Sequence, residues 1–509
     1  MKSISSRIFA PTEKLDNTVP RNSGAFRNQF TAILTGAALY VLFVEMYSST
    51  VADYDLWGYL AFGRAFWETG FPYRDLFSYT PTNPLWVYHE WLTGVLFYSV
   101  YRHAGEAGLQ LLRYALILVT LYLIYRTALR RGGTPLSACF ALVPAMLLMC
   151  YGYVPVRAQV FTYLFSILTI YILETFRSKQ RWHVLFWLTP LMVLWCNLHG
   201  GFIAGLGLIG LYAAGEGLSG RSYIPLIGAG ILAAAATVVN PYGIHYWSYT
   251  FSAVTMPRPD IDEWVSVIGA IKRGLYLLPA YLFTGMALLC AAGCVVRRHK
   301  DYADILVTAA VIVVGASHIR HTVFMGLIFG AYLPVLLAEQ WHSARRNRAF
   351  LRNRAWIPGA VFASLLLLIH LSIGPVRIPA LVPSFRIETP LSKYPLGAMN
   401  WIMERDVRAN ILPLFHWGEF IIWYLSPQCR VAMDGRYETV YPDHVHREYF
   451  DFLFARPAWR EFLHKYPHDT VLLRAGMQIA ELMRGEADWR IAYGDRESVL
   501  FVRNREQPR

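Results

Sequence analysis

QFTAILTGAALYVLFVEMYSSTVADYD, residues 29–55, is the stretch that decides the fold. From Gln29 to Ser49 the only charge is Glu45. A bilayer-spanning helix takes roughly 20 mostly apolar residues. The run is longer than a signal-peptide core, and no small-residue cleavage pattern accompanies it. It therefore reads as an uncleaved first span, with the basic tail 1–28 in the cytoplasm. The span gives way to a polar loop that opens with two carboxylates, Asp53 and Asp55.

Ten further windows have the same character: 106–129, 136–152, 158–176, 183–198, 200–217, 223–239, 276–296, 302–318, 321–340 and 355–373. The expected fold class is a polytopic α-helical membrane protein of about 11 spans, occupying 29–373. The run 86–102 is interrupted by His89, Glu90 and Arg102 and is expected to lie against the outer face rather than span. From about Pro390 to 509 the pattern changes. Short apolar runs near Ile411, Arg430–Met433, Thr470–Leu473 and Ser498–Val502 read as strands. They alternate with helical stretches at Trp417–Tyr424, Asp443–Phe454 and Met477–Arg484, as in a small α/β domain. Only 16% of the chain is charged, against about 25% in soluble proteins.

The net charge is +13. A nucleic-acid binder would gather that excess on one folded face. Here 20 Lys and Arg lie in the tail and in one alternating set of loops, and 7 in the opposite set. This is the positive-inside bias, and it places the long loops 51–85 and 240–275 and the C-terminal domain outside the cell's inner (plasma) membrane. The region from Gly374 carries 18 basic and 17 acidic residues, so a nucleic-acid partner has no support. The six cysteines show no CxxC or disulfide spacing. No phosphate-binding glycine loop, GxSxG elbow or HExxH is present.

The chemistry is therefore sought on the outer side. Asp53 and Asp55 can share a divalent cation through oxygen ligands, or one of them can act as general base on an acceptor hydroxyl. His89-Glu90 is expensive in an apolar segment unless paired or hydrated, which suits a cavity wall or an interfacial helix. Arg157 and the cluster His318-Ile-Arg320-His321 offer cationic forks and imidazoles for phosphate oxygens. His199, in Asn197-Leu-His199-Gly-Gly201, faces the same side. Asp260, Asp262 and Glu263 form a weaker acidic cluster. Asp434-Gly435-Arg436 follows a strand and suits either a cleft or a tight turn.

The order of parts resembles the GT-C class of membrane glycosyltransferases. The carrying motif is Asp53-Tyr-Asp55 followed by Gly70-Phe-Pro-Tyr-Arg-Asp75-Leu-Phe-Ser78-Tyr-Thr80. The Asn-x-His-Gly-Gly element and the C-terminal Asp-Gly-Arg are similar to those of a bacterial group within it. Protein O-mannosyltransferases and lipid A aminoarabinose transferases are more distant. The resemblance implies a polyprenyl-phosphate-linked sugar donor and inverting transfer of a hexosyl or pentosyl group. The acceptor would be an envelope glycan, lipid or protein. A first-loop acid would serve as base or as ligand to Mg or Mn. Only Asp53 and Asp55 carry over that role, and the mannosyltransferases have Asp-Glu where this chain has Asp-x-Asp, which leaves metal dependence open. Two other classes compete. A transporter or flippase would want repeated halves and several ionisable residues deep in spans, whereas only Arg113 lies mid-span. A noncatalytic envelope-assembly protein would leave the acidic pair away from any cavity.

Overall fold

The computed structural model describes residues 23–297, 299–347 and 382–504. Among the described residues, thirteen α-helices precede residue 348: α1 (Ser23–Tyr47), α2 (Leu56–Thr69), α3 (Trp91–Arg130), α4 (Pro135–Tyr153), α5 (Gln159–Lys179), α6 (Leu188–Leu198), α7 (Phe202–Leu218), α8 (Ile224–Ala236), α9 (His245–Thr255), α10 (Val267–Arg273), α11 (Leu277–Val296), α12 (Tyr302–Ser317) and α13 (Val323–Asn347). Ten expected spans fall on helices; the eleventh, 355–373, lies outside the described residues. Among the described residues, five helical segments are long and apolar enough to cross a membrane: α3, α4, α5, α11 and Ile319–Trp341. Thr35–Tyr47, Trp182–Leu198, Phe202–Leu218, Ile224–Ala236 and Tyr302–Ser317 are shorter apolar helical stretches. The chain is an integral membrane protein.

Local sequence sets the helix ends. Thr134 and Ser137 form a capping box on α4, with Pro135 in the first turn, where a missing N–H costs nothing. Asp301 accepts from the Ala303 and Asp304 N–H groups to start α12. Inside α3, Gly105 sits at φ +58°, a left-handed conformation that suits glycine. From Trp91 on, the ambiguous run 86–102 is thus the first arm of a broken helix, and 106–129 the second. That first arm packs on α2, where Gly63 and Gly94 bring the two backbones together: a Cβ on Gly63 would lie 2.3 Å from the Gly94 carbonyl oxygen.

Loops assigned to the same side meet in space. At one end of the bundle, Arg131 pairs with Asp304 (2.5 Å) and Glu174, and Arg177 with Glu216 (2.8 Å), Asp301 (2.7 Å) and Glu174 (3.0 Å). Arg221 and Arg297 join the same network. These are the basic loops. At the other end, loops 51–85, 154–158, 199–201, 240–275 and 318–322 converge on a cavity.

Arg113 does not mark a transport path. It donates to the carbonyls of Tyr47 (2.7 Å), Ser49 (3.2 Å) and Val154, satisfying groups orphaned where α1 and α4 end. Arg113→Met should lower stability by about 2 kcal/mol, because those buried carbonyls lose their donors. Thermal unfolding of the detergent-solubilised chain measures it.

The C-terminal sheet has five strands: β1 (Asn410–Pro413), β2 (Arg430–Val431), β3 (Thr470–Arg474), β4 (Trp489–Gly494) and β5 (Ser498–Arg503), in the order β2-β1-β3-β5-β4. β1 is parallel to β2 and β3, and β5 is antiparallel to β3 and β4. The sequence reading misses β4. It is an edge strand whose residues after Trp489 are mostly exposed, so no apolar run marks it.

This sheet is not a detached unit. Ser78 bridges Val431 in parallel, and the Val431 N–H donates to the Phe77 carbonyl at 3.0 Å. The first loop thereby adds an edge to the sheet. Trp57, Tyr394 and Phe420 share one buried core, with the Trp57 indole N–H donating to the Tyr394 hydroxyl at 3.1 Å.

Candidate functional site

Between the loop-bearing end of the bundle and the C-terminal domain lies a cavity of about 940 Å³. Asp55, His89, Glu90, Arg157, His199, His318, Arg320 and His321 all line it. Asp53 stands behind Asp55, accepting from its N–H at 3.1 Å.

The acidic corner forms because α1 ends at Tyr47 and α2 begins at Leu56, with Asp55 as its N-cap. Arg157, from the α4–α5 connection, reaches into this corner. Its Nε lies 2.6 Å from Asp53 Oδ1 and 3.3 Å from Asp55 Oδ2, and its Nη1 3.3 Å from Glu263. These three carboxylates hold the Arg157 guanidinium charged, well above its ordinary pKa, against the cost of burial. Enclosure raises the Asp55 carboxyl above the usual carboxylate range; Arg157 opposes that shift and the Asp53 charge adds to it.

Glu419, on the helix Gly418–Leu425, is buried in the same corner and was not singled out from sequence. Its Oε2 accepts from the Gly58 N–H at 3.2 Å. A Cβ on Gly58 would lie 2.4 Å from that oxygen, and one on Gly435 would lie 2.8 Å from Oε1. Burial pushes the Glu419 carboxyl well up, and the Asp55 and Asp434 charges push the same way. A charge within the apolar run Phe415–Leu425 was the available signal.

The cationic wall is organised by Trp264, also missed. The guanidinium carbons of Arg258 and Arg320 lie 4.0 and 4.8 Å from its ring centroid, in cation–π range. Its loop is tied down by the Ile319 N–H donating to the Val265 carbonyl at 2.8 Å. Arg258 is fully engaged by Glu438, at 2.5 and 2.7 Å. Among the described residues, the carboxylate nearest Arg320 is Glu263, at 3.7 Å. Its fork is the more open of the two. Burial and the nearby arginines push His318 below its ordinary pKa. Arg157, expected beside a phosphate, lies against the acidic pair.

The third wall holds His89, Glu90 and His199. The Asn-x-His-Gly-Gly element divides its labour here. Asn197 ties the Trp91 indole (2.9 Å) and the Val239 carbonyl (2.8 Å), while His199 faces the cavity. Gly200 packs on His89, with a Cβ there falling 3.0 Å from the imidazole Cδ2. A Cβ on Gly201 would lie 2.4 Å from Thr162 Oγ1.

Asp434-Gly435-Arg436 is a buried clamp. Arg436 binds Asp434 at 2.6 and 2.8 Å and Asp75 at 2.7 Å, so the first loop is pinned to the C-terminal domain. In the weaker acidic cluster, Glu263 serves the arginines and Asp260 pairs with Arg456 at 2.6 Å.

A divalent ion fits this donor set poorly. Among the described residues, no three His, Cys, Asp or Glu side chains stand together as ligands. The Arg157 guanidinium also lies against both first-loop carboxylates, where a shared cation would sit.

No protein-family model matches the sequence, and no curated protein matches it. Solved structures do. Arabinofuranosyltransferase AftD from Mycobacteria matches with a TM-score of 0.50 and 15% identity, over 93% of this chain and 41% of that one. The Archaeoglobus fulgidus oligosaccharyltransferase, in complex with Zn and sulfate, matches with a TM-score of 0.48 and 12% identity, over 87% and 68%. Oligosaccharyltransferase AglB from the same organism, with an inhibitory peptide and a dolichol-phosphate, gives 0.43 and 10%, over 88% and 70%. This chain therefore spans about two fifths of the length of AftD. The fold is that of the GT-C glycosyltransferases.

Proposed function

We propose that this protein is a membrane glycosyltransferase that moves a sugar from a polyprenyl-phosphate donor to a hydroxyl of an envelope glycan, lipid or protein. The observation that carries this reading is that one cavity holds both a carboxylate with a raised pKa, Asp55, and a lightly engaged guanidinium, Arg320. Exposed Val254, Val313 and Val314 form part of its wall, an apolar side that suits a lipid chain. A noncatalytic scaffold has no need of such a site. A transporter would use ionisable groups along its spans, and Arg113 is bound to carbonyls instead.

In the reaction, the acceptor oxygen attacks C1 of the sugar while Asp55 takes its proton. The bond from C1 to the phosphate oxygen breaks with its electron pair leaving on the phosphate, and the anomeric centre inverts. Arg320 answers the charge that develops on the leaving group. Asp53 holds Arg157 and the Asp55 backbone in place. The proton then passes from Asp55 to solvent. The cavity end is the extracytoplasmic one on this reading, because the basic loops gather at the opposite end of the bundle.

The test is mass spectrometry of envelope glycans and lipid-linked sugars in cells with and without the protein. Loss should remove one sugar from an envelope product and raise one lipid-linked sugar. Unchanged profiles for both would overturn the proposal. In purified protein, Arg320→Gln should weaken binding of undecaprenyl phosphate about tenfold, because a charge-assisted contact to the phosphate goes; a lipid-binding titration measures it.

A further inference from the structure

The wall formed by His89, Glu90 and His199 has no cation to offer a phosphate. Its hydrogen bonds show why. The Gly201 N–H donates to His199 Nδ1 at 2.8 Å, so that nitrogen carries no proton. The Thr162 Oγ1 lies at the same distance from it and itself receives the Trp195 indole N–H at 2.8 Å. The imidazole is therefore the neutral tautomer, with its single N–H on Nε2. That edge looks toward Glu90, 3.4 Å from Oε1. A second imidazole edge, His89 Nε2, stands 3.6 Å from the same oxygen. Both separations are too long for firm hydrogen bonds, so these polar edges are not used up on one another, and a hydroxyl that approaches from the cavity can bond to them. The Tyr249 hydroxyl holds His89 Nδ1 at 2.9 Å, and its ring stacks on the imidazole at 5.5 Å.

We infer that Glu90, His89 and His199 form a charge-neutral carbohydrate subsite that grips hydroxyls of the donor's sugar ring, leaving the phosphate to Arg320. This rests on the glycosyl-transfer reading and adds the division of the cavity into a sugar end and a phosphate end. Neutral donors and acceptors in a fixed array suit a polyol, which needs hydrogen bonds and no counterion. Burial supports the assignment: it pushes the Glu90 carboxyl up to about 8 and His89 down to about 4. At neutral pH the wall then presents an uncharged acid beside uncharged imidazoles. Arg320 lines the same cavity as all three groups, so a sugar end there adjoins a phosphate end.

The experiment compares two probes on the full chain in nanodiscs: undecaprenyl phosphate alone, and a panel of undecaprenyl-phosphate hexoses and pentoses. Glu90→Ala and His199→Asn should each weaken the preferred glycosylated lipid about tenfold or more and leave the bare lipid within about twofold. Asn at 199 keeps an acceptor for the Gly201 N–H and loses only the cavity-facing donor, so the turn survives. Glu90→Gln should stay within about threefold for both probes, because an amide replaces a neutral acid. Arg320→Gln should weaken both probes alike. If Glu90→Gln fails as badly as Glu90→Ala, Glu90 works as a carboxylate and the neutral subsite is wrong. If Glu90→Ala and His199→Asn weaken the bare lipid equally, the wall belongs to the phosphate and the inference also fails. In both cases glycosyl transfer stands. If the wild-type chain binds neither probe, the transferase reading falls and takes the subsite with it.

Discussion

Asp55→Asn should lower kcat/KM for sugar transfer by about a thousandfold, the scale set by losing a general base, with the unfolding midpoint unchanged. The amide keeps the size of the side chain but cannot take a proton. The Asp55 side chain is 38% exposed to the cavity, against 10% for Asp53, so removing its charge leaves no buried ion orphaned. Asp53→Asn should cost far less, about tenfold: its oxygen can still accept from Arg157 and from the Asp55 N–H, and only the charge goes. The pH profile supplies a second reading. A base works deprotonated, and enclosure raises the Asp55 carboxyl. kcat/KM should therefore fall as pH drops through an inflection above the ordinary carboxylate range. Asp55→Glu should keep an inflection, while the residual rate of Asp55→Asn should have none there. Turnover of lipid-linked donor across pH measures all of this. A fully active Asp55→Asn would remove Asp55 from the chemistry.

The sequence exposed some features and hid others for physical reasons. Apolar runs are dictated by the bilayer one segment at a time, so the helices on which ten expected spans fall could be read without knowing their neighbours. The grouping of basic loops at one end was legible for the same reason: Arg131, Arg177, Arg221 and Arg297 come from separate loops, yet they meet in one ionic network. Cavity-lining residues near helix ends, such as Glu90, His199 and Arg320, stood out because polar side chains there are costly without a purpose. What could not be read was pairing. Arg157 offers the same fork to a phosphate or to Asp53, and only the fold brings Asp53 to 2.6 Å. Glu419 lies 361 residues from Gly58, its hydrogen-bond partner, and no local pattern announces such a contact. Trp264 reads as one more interfacial tryptophan until Arg258 and Arg320 are seen against its ring.

Arg436→Met should destabilise the folded protein by about 3–5 kcal/mol, the cost of leaving buried charges unpaired. The side chains of Asp75 and Asp434 are 1% and 0% exposed. The guanidinium satisfies both, lying 4.9 Å from the ring centroid of Trp86 and 5.0 Å from that of Phe77. Other donors help only in part: Asp75 also accepts from the Ser78 N–H at 2.7 Å, and Asp434 from the Tyr441 hydroxyl at 2.8 Å. Methionine fills most of the volume and supplies no charge, so two carboxylates lose their shared cation in a dry site. Arg436→Lys should recover only part of the loss, because an ammonium cannot fork to both acids. Adding Asp75→Asn to Arg436→Met should restore some stability by removing one orphaned charge, a coupling that simple loss of packing would not produce. The effect should reach the cavity as well. Arg436 pins the loop that carries Asp55, and Gly435 beside it leaves room for Glu419. Turnover should therefore fall in Arg436→Met even below its unfolding midpoint. Unfolding midpoints for the single and double variants, with transfer rates at a temperature where all are folded, test the argument. Equal midpoints for wild type and Arg436→Met would mean that the clamp contributes nothing to stability.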